Sequence, residues 1–149
     1  MMTDVHASID IDRPAGEVFG YIADMANNPH WQRGQERCTW TSEPPLGLGS
    51  TYDQEASFLG KRIRSSFEVV DYEPDHTIRI RTTGGTMPID VIRTVTPLSE
   101  GRCRVTADVR GEPPLVMRLA GPLLDRLVAR SVRGDYRRLK ALLEGGGMA

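Results

Sequence analysis

The sequence is poor in the residues that build covalently or metal-stabilised folds. Only two cysteines, Cys38 and Cys103, and three histidines occur among 149 residues. Two distant thiols do not form a disulfide framework, and together with the histidines they show no zinc-ligand spacing. We therefore expect reduced thiols within strands, and neither a metal nor another cofactor.

Long apolar runs and an excess of charge of one sign are also absent. No apolar stretch approaches the roughly 18 residues that a membrane-spanning helix needs. The first eight residues lack the basic start and apolar core of a signal peptide. A formal net charge of −1 provides no overall attraction to nucleic acid or anionic membranes. We expect a cytoplasmic protein with no membrane insertion and no nucleic-acid partner, and leave homodimer formation open.

What the sequence does contain is alternation of apolar and polar residues, which is typical of half-buried strands. Pro14 suits the first turn of a helix that ends near Met25, with Asp12 as its N-cap, and a loop or short second helix follows at 27–31. A run of strands with segregated helices predicts an α+β fold, antiparallel pairing and a single domain over 1–144, with 145–149 as a flexible tail. The predicted strands cover residues 5–12, 37–42, 51–59, 62–72, 78–82, 87–97 and 102–110.

Residues 115–143 have the 3.6-residue period of an amphipathic helix. Gly121-Pro122 interrupts the pattern. The helix is kinked there, or a short helix is followed by a restart at Pro122, or Gly121-Pro122 simply starts the true helix. Asp135 falls within the apolar side, and we expect it to reach water near the helix end rather than meet a partner or face a cavity. The predicted apolar side comprises Val116, Ala120, Leu123, Leu124, Leu127, Val128, Val132, Leu139 and Leu142, and the solvated basic side comprises Arg126, Arg130, Arg133, Arg137 and Lys140.

The sixth predicted strand has two candidate inward faces. One face carries Val91, Arg93 and Val95, and the other carries Asp90 and Ile92. We choose the first because it has more aliphatic area, although a one-residue change of register would turn Arg93 outward and Asp90 inward. An inward guanidinium cannot be neutralised, so it must meet a carboxylate, water or a ligand oxygen.

Polar groups among inward apolar residues are what a ligand pocket requires. Arg93 and His30 are the catalytic candidates, since Arg93 would stabilise developing oxyanion charge and a histidine titrates near neutral pH. His30 is equally well explained as an exposed loop residue, and the aromatic residues as plain core. The candidate ligand-binding residues are Trp31, Trp40, Tyr52, Gln54, Phe58, Ser65, Phe67, Thr82, Val91, Met117 and Leu124.

The order of these elements resembles the START-like (SRPBCC, helix-grip) superfamily, in its polyketide cyclase/dehydrase branch. The order of the matching stretches, rather than any single motif, carries the resemblance. They are residues 9–19 (IDIDRPAGEVF), 22–24 (IAD), 30–32 (HWQ), 46–50 (LGLGS), 69–74 (VVDYEP), 96–98 (TPL) with Gly101, and 138–143 (RLKALL).

The resemblance implies a curved, seven-stranded antiparallel sheet that grips a long C-terminal helix, two short helices after strand one, and an internal cavity for apolar molecules. From it we expect a small hydrophobic ligand, polyketide-like or lipid-like. One hypothesis is a cyclase or aromatase that uses cavity shape and polar groups to direct aldol-type cyclisation or dehydration. The alternatives are a non-catalytic carrier or sensor of a lipid, quinone or acyl chain, and a partner-binding module that uses the basic helix side. Fold alone does not choose among them, so catalysis stays open.

Overall fold

The computed structural model describes residues 3–58, 60–113, 119 and 121–145. Its elements follow the predicted order of strand, short helices, six strands and C-terminal helix. In chain order they are β1 (Thr3–Ile11), α1 (Ala15–Ala23), a 3₁₀ turn (Met25–Asn27), α2 (Asn28–Trp31), β2 (Gln35–Trp40), β3 (Thr51–Phe58), β4 (Lys61–Glu73), β5 (Thr77–Gly85), β6 (Ile89–Ser99), β7 (Arg102–Gly111) and α3 (Pro122–Glu144).

The seven strands form one antiparallel sheet in the order β1-β7-β6-β5-β4-β3-β2. Strands β2 to β7 pair with their neighbours in sequence, and β1 pairs along its full length with β7. Because side chains alternate across a strand, one sheet face is apolar, as in β7, where Cys103, Val105 and Ala107 are buried. Tyr136, Leu139 and Leu143 of α3 join the same core. The predicted α+β fold, with a curved sheet around a C-terminal helix, is confirmed.

The C-terminal helix begins at Pro122, so Gly121-Pro122 does not lie within one continuous helix. Proline stands in the first turn, and Gly121 before it has a φ of 53°. The prediction of one continuous helix from residue 115 was therefore wrong. Residues 114–118 and 120, which include Val116 and Met117, lie outside the described residues. Leu123 is 59% exposed rather than buried. Helical spacing from Val132 instead brings Tyr136 onto the buried side.

Most of the basic side of α3 faces outward as predicted, with Arg126, Arg130, Arg133 and Arg137 exposed, whereas Lys140 is half-buried. No helix in the described part of the chain combines the length and apolarity needed to cross a membrane. Of the predicted flexible tail, only Gly145 is described: it ends α3 with its N–H donating to the Ala141 carbonyl oxygen, 2.9 Å away. Residues 146–149 lie outside the described residues.

The C-terminal end of α3 is fastened to the end of β1. The Asp12 N–H donates to Glu144 Oε2 at 2.7 Å, and Arg13 Nε donates to the Leu143 carbonyl oxygen at 2.9 Å. Lys140 Nζ donates to the Asp10 carbonyl oxygen at 2.7 Å. The prediction that Asp12 caps α1 was wrong, because α1 begins at Ala15 with Pro14 in the cap position and no side chain caps it.

The Gly84-Gly85 pair lies at the end of β5. Gly85 has a φ of +127°, and a Cβ there would lie 2.8 Å from the Ser65 Cα and overlap the Arg64 carbonyl. We expect Gly85→Ala to lower the free energy of unfolding by about 1–3 kcal/mol. Gly84→Ala is the matched control, since a Cβ there meets nothing within 4 Å. Urea denaturation measures both, and equal losses would contradict the steric explanation.

Candidate functional site

A cavity in two adjoining chambers lies between the sheet and α3. The outer chamber has a volume of about 190 Å³ and the inner chamber about 160 Å³. The turn after α2, the strands β3, β6 and β7, and the helix α3 contribute to both. The residues shared by the two chambers are Gln32, Gln35, Gln54, Ile89, Val109, Val132 and Asp135.

Seven of the predicted site residues meet at this cavity. Phe58 and Leu124 line the outer chamber, and Gln54 lines both. The inner chamber is lined by Trp31, Phe67, Val91 and Arg93. Each of these residues lies on an element whose position the sequence pattern predicted. Strand register and helix packing then bring the seven side chains to the same cavity.

The remaining predicted site residues lie elsewhere. Tyr52, Trp40, Thr82 and His30 line neither chamber, and Ser65 lines a separate groove of about 440 Å³ with Arg37, Asp53 and Arg64. Met117 lies outside the described residues.

Local hydrogen bonds explain two of these positions. Trp40 Nε1 donates to Asp24 Oδ1 at 2.9 Å, which ties this ring to the 3₁₀ turn. Thr82 Oγ1 accepts from the Ile89 N–H at 3.0 Å, so its hydroxyl closes the β5–β6 hairpin. His30 is exposed on α2.

Arg93 faces inward, as the choice of face for the sixth strand predicts. It is 5% exposed, and Asp90 on the opposite face pairs with Arg79 at 2.7 Å. Its Nε donates to the Tyr136 hydroxyl oxygen at 2.9 Å, and Nη1 lies 3.6 Å from Met25 Sδ.

The other surroundings of this guanidinium are apolar. Its central carbon lies 5.2 Å from the Trp31 ring centroid, a cation–π geometry. No carboxylate among the described residues forms an ion pair with Arg93, and its second terminal nitrogen has no hydrogen-bond partner there. A permanent positive charge therefore sits in the inner chamber without an anion in contact with it, although the Asp135 carboxylate lines the same chamber.

Aromatic rings form the wall behind the guanidinium. Trp31 meets Tyr136 edge-on with centroids 5.0 Å apart, and Tyr52 stacks on Phe67, also at 5.0 Å. Burial raises the pKa of Tyr52, so its hydroxyl is neutral at physiological pH. Among the described residues, the Tyr52 hydroxyl, the Trp31 Nε1 and the Ser65 hydroxyl are buried without hydrogen-bond partners.

Asp135 is the second charged group of the cavity. It is 8% exposed, so the prediction that it reaches water was wrong. The Arg33 N–H donates to its Oδ1 at 3.0 Å, and Arg138 pairs with the same oxygen. Burial raises the pKa of this carboxyl, opposed by the Arg33 N–H and Arg138. Asp135 therefore has a partner and also faces the cavity. These are the two alternatives to solvent exposure that the sequence analysis named.

The sequence prediction missed Tyr136, Gln32 and Gln35. A signal existed for Tyr136, since the series 132, 136, 139 and 143 follows helical spacing on the buried side of α3. No pattern marked the two glutamines, because they flank the short connection between α2 and β2, where side-chain directions depend on the packing of α2.

Both cysteines are buried free thiols, as predicted. Burial raises the pKa of the Cys38 thiol to about 12. A thiol held protonated in this way is a poor nucleophile, so Cys38 behaves as core.

Several solved structures have a fold similar to that of this chain. A START superfamily protein from Mycobacterium smegmatis superposes with a TM-score of 0.82 at 15% identity, covering 95% of this chain and 97% of that one. The Zhui aromatase/cyclase from Streptomyces sp. R1128 superposes with 0.73 at 14% identity, covering 99% of both chains. A major latex-like protein from Panax ginseng gives 0.70 at 14% identity, covering 94% of this chain and 96% of that one. At such identities these likenesses show a shared fold.

No curated protein sequence matches this chain. A family model described as "Polyketide cyclase / dehydrase and lipid transport" matches residues 2–144. Because that match spans almost the whole chain and the fold agrees with it, the protein belongs to the polyketide cyclase/dehydrase and lipid transport family.

Proposed function

We propose that the protein binds a compact, mainly apolar molecule whose oxygen atom is received by Arg93. The observation that carries this proposal is the guanidinium, buried at the inner end of a mainly apolar cavity without an ion-pair partner among the described residues. A buried charge without an anionic partner is costly, and a ligand carbonyl or oxyanion would offset that cost through charge-assisted hydrogen bonds.

The dimensions of the cavity favour a small ligand. Chambers of about 190 and 160 Å³ are each small beside the roughly 300–1,000 Å³ of common ligand pockets. The apolar walls at Phe67, Val91 and Leu124 suit a ring system or a short chain. A flat ring would lie against Trp31 and Phe67 with its oxygen towards Arg93.

Asp135 favours a second candidate function, the cyclisation of a substrate with several carbonyl groups. Its carboxylate would take a proton from a carbon between two carbonyls, and the enolate carbon would form a bond to a second carbonyl carbon. The resulting alkoxide, next to Arg93, would regain the proton and become a hydroxyl. If dehydration follows, the carboxylate takes the remaining proton of the neighbouring carbon and returns it to the departing hydroxyl, so that water leaves and a carbon–carbon double bond forms. A raised pKa makes Asp135 a stronger base than an ordinary carboxylate, and Arg93 supplies electrostatic stabilisation of the oxyanion.

One experiment tests both functions. The purified protein is titrated calorimetrically with aromatic ketones and poly-β-ketone analogues, and the same mixtures are analysed for products. Saturable binding with one site per chain supports ligand binding, and products additionally support cyclisation. We expect Asp135→Asn to lower turnover by about 100-fold or more, while Asp71→Asn, an exposed carboxylate on β4, changes nothing. Binding without product supports the carrier, and no binding overturns the proposal.

A further inference from the structure

Three glutamine side chains converge where the two chambers meet. Gln32 follows α2 directly, Gln35 is the first residue of β2, and Gln54 comes from β3. All three line both chambers. We call these three residues the amide cluster. Neither the sequence prediction nor the function proposed above accounts for Gln32 and Gln35.

The amide cluster has more hydrogen-bonding capacity than the protein uses. Gln35 Nε2 donates to Gln32 Oε1 at 3.3 Å. The other ends of this pair, Gln32 Nε2 and Gln35 Oε1, are buried without partners. Gln54 is only 9% exposed and has no side-chain hydrogen bond within the described residues.

This imbalance does not depend on which amide is the donor. If both amides were flipped, Gln32 would donate to Gln35, and the pair would still leave one NH₂ group and one carbonyl oxygen free. Burying such groups without partners costs free energy, so native proteins rarely leave them so. The pair therefore always offers one donor and one acceptor to whatever enters.

The backbone that carries the pair is held in place from several sides. The Gln35 N–H donates to the Gln32 carbonyl oxygen at 3.2 Å, and the Ser57 N–H donates to the Gly34 carbonyl oxygen at 2.8 Å. Gly34 has a φ of +92°, and a Cβ there would lie 2.6 Å from the Ser57 carbonyl oxygen. The Arg33 N–H is bound to Asp135 of α3. A turn fixed in this way is preorganised, which lowers the entropic cost of binding.

We propose that the amide cluster is a polar subsite that recognises a ring carrying two oxygen substituents, at least one of them a hydroxyl. Such a ligand supplies both an acceptor for the free NH₂ group and a donor for the free carbonyl oxygen. This inference rests on the proposed function and names its ligand class: an oxygenated ring, such as a phenol or cyclic enol, rather than a plain acyl chain. A saturated chain would leave every free amide group without a partner, which disfavours its binding.

Two probes of similar shape test this assignment, 1,3-dihydroxynaphthalene and 1,3-dimethylnaphthalene. Dissociation constants are measured by fluorescence titration for the parent chain, for the double variant Gln35→Met with Gln54→Met, and for Arg37→Met. Methionine keeps the side-chain length but removes the amide hydrogen bonds. Arg37→Met is the matched control, because Arg37 lies on the same strand, is exposed and lines neither chamber. Circular dichroism verifies that each variant is folded.

We expect the double variant to shift the ratio of the two dissociation constants about tenfold towards the dimethyl probe, as the loss of two hydrogen bonds implies. The Arg37 control keeps the ratio of the parent chain. A ratio that changes by less than twofold in the double variant overturns the subsite, while binding of the dihydroxy probe still supports the proposed function. If the parent chain binds neither probe, both proposals fail. If the double variant does not fold, Gln54→Met alone is measured, with an expected shift of about threefold and the same criterion of twofold.

Discussion

Arg93→Met is expected to weaken the binding of a ligand with a carbonyl or anionic oxygen by about 10- to 100-fold. Among the described residues, two charged groups line the inner chamber, Arg93 and Asp135. The Asp135 carboxylate repels a ligand oxygen, so the Arg93 guanidinium is the charge that attracts it. A hydrogen bond to a charged group contributes about 1.5–3 kcal/mol, and that is the contribution removed. Calorimetric titration with one ligand and its deoxygenated analogue measures the loss.

The stability of this variant should not fall in parallel. Arg93 has no carboxylate partner within the described chain, so a methionine of similar length removes the cost of burying an unpaired charge. The main loss is the hydrogen bond from Arg93 Nε to the Tyr136 hydroxyl oxygen, 2.9 Å long. Arg81→Met is the control, because Arg81 is on the neighbouring strand and exposed. Equal losses for the oxygenated ligand and its deoxygenated analogue would show that Arg93 shapes the cavity without binding the oxygen.

Leu139→Ala is expected to lower the free energy of unfolding by about 2–5 kcal/mol. Leu139 is 0% exposed and belongs to the core that joins α3 to the sheet. Truncation removes buried aliphatic surface and leaves a void that the surrounding strands fill only in part. Urea denaturation followed by circular dichroism measures the effect.

Leu123→Ala provides the matched control on the same helix. Leu123 is 59% exposed, and an exposed leucine-to-alanine change alters stability by less than about 0.5 kcal/mol. Similar losses at both positions would contradict the observed helix phase, in which Leu139 faces the sheet and Leu123 faces away from it. The pair thus tests the orientation of α3 independently of any ligand.

Strand periodicity was the most reliable predictor of the site. Alternation placed Gln54, Phe67, Val91 and Arg93 on the inward face, and their convergence on one cavity followed from the antiparallel pairing of neighbouring strands. The choice between Arg93 and Asp90 was open from sequence. Aliphatic area selected the correct face, and Asp90 found its partner in Arg79 on the outer face.

Helix phase was predicted only in part. Leu124 and Leu139 are buried as predicted, whereas Leu123 is exposed and the overlooked Tyr136 is buried against Arg93. The surroundings of Asp135 could not be predicted either. Helical spacing placed it on the apolar side, but nothing in the sequence indicated that the Arg33 backbone N–H would donate to its Oδ1 at 3.0 Å.

Periodicity and turn chemistry over short stretches were enough to place the strands, the order of the elements and the α+β class, and they favoured the inward position of Arg93. The set of polar groups that share the cavity depends instead on long-range packing. Gln32 and Gln35 on either side of the α2–β2 connection, Asp135 and Tyr136 on α3, and Arg93 on β6 are brought together when the helix and this connection pack against the sheet. Such contacts depend on distances between segments far apart in the chain, which no local pattern encodes.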